Sequence, residues 1–190
     1  MGGKIFITRS GYDPQLGKHV KNPYLGPCPT LGACRPDVRK QLSQRDHIFV
    51  ISGKVPVAPQ FVMAGFEIAA KMDAKTAYEQ SPEHRLHLLP DGQLDGNIIV
   101  GADGKQHELD DHNSFDERIK NYVVGTNMLA LTTPAEIAKG REETLEALCD
   151  ILRKRGTKPF DVVGRFGATL NEKQILELRA WLARLKANCN

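Results

Sequence analysis

Between Ser10 and Ala33 the chain carries Pro14, Pro23, Pro27 and Pro29 together with Gly11, Gly17, Gly26 and Gly32. Proline lacks a backbone N–H and glycine resists ordering, so neither a helix nor an interior strand can run through this stretch. Irregular loops longer than ~12–15 residues are usually either functional or disordered. Tyr12, Tyr24 and Leu31 give this one apolar anchors, so an ordered surface is expected. It ends at Cys34-Arg35-Pro36, where proline suits the first turn of a short helix with Val38 and Leu42 four apart on its buried side.

Around this loop the periodicity is legible. Lys4–Arg9 (KIFITR), "DHIFVISG", "QFVMAGFEIAAK" and "NYVVGTNMLALT" read as strands, and Gly65 within the third marks a bulge or a close backbone approach. "DAKTAYEQ" reads as a short helix that ends before Pro82. "GNIIVGADGKQHEL" reads as two short strands turning at Asp103-Gly104. Thr133-Pro134-Ala135-Glu136 is a capping box, followed by a helix expected to run to Gly156. A second helix from Asn171 aligns Ile175, Leu178, Leu182 and Leu185 as one apolar stripe. The expectation is an α+β fold, mostly antiparallel, with residues 1–132 as one domain and 133–190 as helices packed on it.

Charge narrows the partners. Residues 1–54 hold nine Lys/Arg against three acids, whereas the rest of the chain has seventeen against twenty. Cations concentrated in one third of a chain suit a polyanion. No apolar run reaches the ~20 residues of a membrane span, so no membrane partner is expected. Four cysteines without an export signal point to reduced thiols and a cytoplasmic location.

The residues offer three chemistries. A zinc site is not expected, because Cys28 and Cys34 are separated by five residues where structural pairs sit two to four apart; His19, His107 and His112 are the imidazoles that could add to it. A thiol nucleophile is the second, with Cys28 or Cys34 attacking and His112 as the distant base. Binding is the third: phosphate contacts from Arg9, Arg35, Arg39 and Lys54, base contacts from Tyr24, Ser52 and the Cys28–Cys34 loop, and Ser10 and Thr30 as further nucleotide-binding candidates. The sequence lacks G-x-G-x-x-G, G-x-x-x-x-G-K-[ST], H-E-x-x-H and G-x-S-x-G, and no cofactor is implied.

The series "FITRS", "CPTLGACRPDVRK", "RDHIFVISGK" and "QFVMAGFEIAAKMDAKTAY" resembles the nucleotide modification associated domain 2 family, within the PUA-like superfamily of ASCH, EVE and YTH domains. The resemblance covers about residues 4–131. It departs at Arg45-Asp46-His47, where such domains often read Gly-Asp-Trp or Gly-Asp-Arg, and no G-x-K-x-x-E-x-R motif is present. It implies a small mixed or antiparallel β-barrel flanked by helices, here with a C-terminal helical extension. It also implies association with systems that make or read modified bases in nucleic acid. The expected function is therefore nucleic-acid or modified-nucleotide binding. An enzyme acting on a nucleotide or base through a cysteine is the alternative, and a protein partner held by the C-terminal helices is a third reading.

Overall fold

The computed structural model describes residues 1–17 and 20–189; His19, a candidate metal ligand above, lies outside the described residues. The strands are β1 (Gly3–Ile7), β2 (Thr30–Leu31), β3 (His47–Ile51), β4 (Val62–Met72), β5 (His87–Leu88), β6 (Leu94–Asp95), β7 (Tyr122–Ala130) and β8 (Ala168–Leu170). The α-helices are α1 (Pro36–Gln41), α2 (Ala74–Gln80), α3 (Phe115–Arg118), α4 (Pro134–Leu152), α5 (Pro159–Val163) and α6 (Glu172–Asn188). The fold is α+β, and its six-stranded sheet has the order β2-β7-β4-β3-β1-β8. The sheet is mixed because β1 and β3 are parallel, while β1–β8, β2–β7 and β3–β4 are antiparallel. Two compact units emerge: Met1–Val20, Arg45–Glu67 and Asn127–Asn190 form the first, and Lys21–Gln44 with Ile68–Thr126 form the second.

In the first unit β3 is buried along its whole length, as an apolar run flanked on both sides should be. Gly65 pairs with Phe49, and a Cβ there would sit 2.4 Å from the Phe49 ring, so the close approach expected of this glycine is real. The capping box forms: Thr133 Oγ1 accepts from Glu136 N, and Glu136 Oε2 accepts from Thr133 N. Burial pushes the Glu136 carboxyl up. Lys186 at 2.9 Å and the amides of Thr132 and Thr133 outweigh it and bring the value down to about 2. The stripe of α6 is enclosed as expected, with Ile175, Leu178, Leu182 and Leu185 buried, and α6 packs against α4. Arg141 forms a two-pronged ion pair with the fully buried Asp13 at 2.9 Å and lies over the Phe61 ring.

Two expectations change. The first helix stops at Leu152 rather than Gly156, because Arg153 adopts a left-handed conformation and its N–H turns back to Cys149 O. Lys158-Pro159 then starts α5, and β8 joins the edge of β1. At Asp103-Gly104 the turn forms, with Gly101 N donating to Lys105 O at 2.8 Å, yet its flanks shrink to a single bridge between Val100 and Gln106. Residues 102, 103, 105 and 106 are exposed, and a hairpin without a buried face has little to hold it.

In the second unit Ala74, Ala77, Ile98, Val100 and Tyr122 form one apolar cluster, and Ala33, Leu86 and Ile99 form another. Both are small, so polar contacts bear more of the ordering here. Substituting Gly65→Ala drives a methyl into Phe49 and is expected to cost ~1–3 kcal/mol, measured as a lowered urea midpoint at unchanged slope.

Candidate functional site

The proline-rich loop is ordered by hydrogen bonds that glycine and asparagine make accessible. Tyr24 and Thr30 exchange backbone bonds, Tyr24 N to Thr30 O at 2.9 Å and Thr30 N to Tyr24 O at 3.0 Å. They close a turn with Pro27 and Cys28 exposed at its tip. Below it, Asn97 Nδ2 donates to Thr30 Oγ1 at 2.8 Å and Tyr122 Oη donates to Asn97 Oδ1 at 2.7 Å. Asn22 Oδ1 accepts from Gly32 N at 3.1 Å. A Cβ on Gly32 would lie 2.1 Å from Asn97 O, so this approach requires glycine. Burial pushes the Tyr122 hydroxyl up, which keeps it neutral and a donor.

Arg39 then fixes the end of the loop. Its side chain is fully buried, and its guanidinium donates to Cys34 O at 3.0 Å, Ala33 O at 3.4 Å, Arg118 O at 2.9 Å and Lys120 O. Arg118 reinforces the link, donating to Ala33 O at 3.0 Å and to Asn113 O at 2.7 Å. Five planar donors in a fork suit several carbonyls at once, where a lysine ammonium would not. Burial lowers Arg39 to about 10, which still leaves it charged at neutral pH.

The two arginines tie segment 33–34 to segment 113–120, and so bring Cys34 beside His112. The Cys34 side chain is the main cause of a raised His112 pKa, opposed by burial and assisted by Asp110. Asp110 Oδ1 lies 2.6 Å from His112 Nδ1, and its carboxyl side chain is only 2 % exposed. Gln106 Nε2 completes the row, donating to Asp110 Oδ2 at 2.8 Å and to His112 O at 3.0 Å. Burial lowers Lys21, whose charge is drawn back up by Cys34, Asp110, Asp95 and Asp111. Asp110, Asp111 and His112 also hold three potential ligand atoms within 4.8 Å of one another. His107 is engaged locally, its Nδ1 accepting from Leu109 N.

The remaining binding candidates fall into two groups. In the second unit, Thr30 is buried in the Asn97 network, and Arg35 binds Asp37 through two bonds of 2.9 and 2.7 Å. Tyr24 is half-buried against the His84 ring at 4.6 Å. A phosphate contact from Arg39 would require the guanidinium to leave four carbonyls. In the first unit, Ser52 is buried, its hydroxyl accepting from Phe61 N at 3.1 Å. Arg9, Ser10 and Lys54 are exposed and adjacent, since Ser10 Oγ donates to Lys54 O at 3.2 Å.

Two residues at this end of the sheet were not expected. Phe166 is 71 % exposed, with the Arg165 guanidinium 5.7 Å from its ring centre. Ala168 pairs with Ile5, so residues 165–166 lie toward the end of β1 from which the chain continues to Thr8 and Arg9. The "GRFG" sequence, an aromatic between glycines, is the signal that could have found them. An open groove of about 750 Å³ also runs between α4 and α6, with Glu146, Asp150 and Trp181 among its lining residues. Compared with protein-family models, curated proteins and solved structures, the chain matches none.

Two outcomes follow. Arg39→Met should destabilise the chain by about 2–4 kcal/mol in urea unfolding, and Arg39→Lys should not restore it. Because the folded pKa of His112 is raised, its protonated contacts contribute fully below the ordinary value of 6.5 and are lost as pH rises through the folded value. Thermal melts of the wild type should lose stability across that window, and His112→Gln should flatten the loss.

Proposed function

We propose that this chain binds a nucleotide, within a nucleic-acid strand or alone, as a PUA-like module that distinguishes modified bases. The observation that carries the reading is the exposed group Arg9, Ser10 and Lys54, at the end of the sheet toward which Arg165 and the exposed ring of Phe166 also lie. Cations beside an aromatic face are the combination that single-strand binders use, the cations for phosphates and the ring for a base. The surplus of positive charge in residues 1–54 supports it, as does the family resemblance of residues 4–131. Selectivity for a modified base comes from that resemblance alone. The same resemblance supports a role beside base-modifying enzymes, and the four cysteines support a cytoplasmic one.

Titration of fluorescent DNA and RNA oligonucleotides, with and without modified bases and at two salt concentrations, tests this. Arg9→Ala and Lys54→Ala should each weaken binding and reduce the salt slope by about one. Phe166→Ala should cost ~1–3 kcal/mol for single strands, with little change in salt slope. Unchanged affinity in a triple variant would overturn the assignment.

A further inference from the structure

We propose that the segment from Arg153 to Phe166 is a binding surface for single-stranded nucleic acid, on which Phe160 and Phe166 each stack one base. This rests on the nucleotide-binding reading and deepens it: the ligand is a single strand several nucleotides long, neither a duplex nor a free nucleotide.

Charge and exposure single the segment out. Residues 153–166 carry Arg153, Lys154, Arg155, Lys158 and Arg165 against one acid, Asp161. All five cations are exposed. Of the seven phenylalanines in the chain, Phe6, Phe49, Phe61 and Phe66 are buried and Phe115 is half-buried. Phe160 and Phe166 are the two left outside, 48 % and 71 % exposed. A lone exposed apolar residue needs no explanation, but both exposed rings standing in one strongly basic segment mark an interaction surface.

The rings are held out by what is anchored beneath them. Pro159, Val162 and Val163 of α5 are buried, which leaves Phe160 and Asp161 on its outer face. Gly164 and Gly167 adopt positive φ, 75° and 77°, and a Cβ on Gly167 would lie 2.4 Å from Ile5 O. Phe166 therefore stands in a turn pressed against β1. Lys154 Nζ donates to Val162 O at 3.1 Å and so ties the residues after α4 to α5. The one acid is engaged locally, its Oδ2 accepting from Thr157 N and Thr157 Oγ1, both at 3.0 Å. Lys158 lies 3.8 Å from Asp161 Oδ1. Among the described residues, Arg153, Arg155 and Arg165 form no ion pair, so three guanidinium groups keep their charge for a ligand. Rings and cations fixed in advance lose little freedom on binding.

The spacing of rings and cations identifies the ligand. Lys158 stands two residues before Phe160, and the Arg165 guanidinium lies 5.7 Å from the centre of the Phe166 ring. A ring for a base and a cation for its phosphate, twice over, match a strand whose bases are free to stack on protein. A duplex keeps its base faces on one another and offers the rings nothing. A lipid surface would be met by a contiguous apolar face, whereas α5 buries its valines and sets Asp161 directly after Phe160.

The test titrates the intact chain with a thymidine dodecamer carrying one 2-aminopurine, whose fluorescence reports stacking. A hairpin DNA duplex and thymidine monophosphate are the comparisons. The dodecamer should bind at least ~10-fold more tightly than either, and Phe160→Ala should weaken it ~10-fold with the salt slope unchanged. Phe160→Leu keeps an apolar side chain and loses the π face, so it should weaken binding as much as alanine does. Arg153→Ala combined with Arg155→Ala should flatten the salt slope by about 1.4. Equal binding of dodecamer and duplex overturns the proposal, as does wild-type affinity in Phe160→Ala or recovery in Phe160→Leu. Capture by phosphatidylserine vesicles with no binding of the dodecamer overturns it as well. Arg9→Ala combined with Lys54→Ala scores the strand-end reading separately. Loss in that pair with wild-type binding in Phe160→Ala sinks this surface and keeps the strand ends; the reverse pattern keeps this surface and removes the strand ends.

Discussion

One guanidinium organises the second unit. Its apolar clusters are small, so they cannot by themselves hold a loop rich in proline and glycine against the segment that follows residue 110. Arg39 does so by placing one buried charge among carbonyls from both segments. The four oxygens supply the partners without which a buried charge would be prohibitive. Everything nearby inherits that alignment: the start of α1, the position of Cys34, and its approach to His112.

The first unit is built differently. There β1, β3 and the first half of β4 are apolar and buried, α4 packs against α6, and polar contacts act at the margins. Glu136 joins the start of α4 to Lys186 near the end of α6, and Asp13 joins the Ser10–Gly17 segment to Arg141. The exposed cations at the ends of β1 and β3 therefore sit on a stiff base. A binding edge built on strands is held more precisely than one built on a loop.

Much of this was legible in the sequence where the information is local. The buried run of β3, the capping box at Thr133, the stripe of α6 and the close approach at Gly65 all follow from spacing and residue type. The order of the proline-rich loop was inferred from its anchors, and Tyr24 is indeed half-buried. What the sequence left hidden depends on partners far along the chain. Arg39 reads as a surface cation because its four carbonyls come from segments no periodicity connects. Cys34 and His112 were both candidates, but no local spacing sets them near one another. The parallel pairing of β1 with β3, and the addition of β8 beside β1, are non-local in the same sense. Phe166 escaped for the opposite reason: an apolar residue is ordinarily counted toward the interior, and only the finished fold leaves it outside.

Arg39 and His112 lose their protons in very different ranges. Arg39, at about 10, stays charged throughout the interval in which His112 changes state. The brace that joins segments 33–34 and 113–120 therefore stays engaged whether or not the neighbouring imidazole carries a proton. A shift of acidity acts on the Asp110–His112 contact and leaves the four-carbonyl anchor in place.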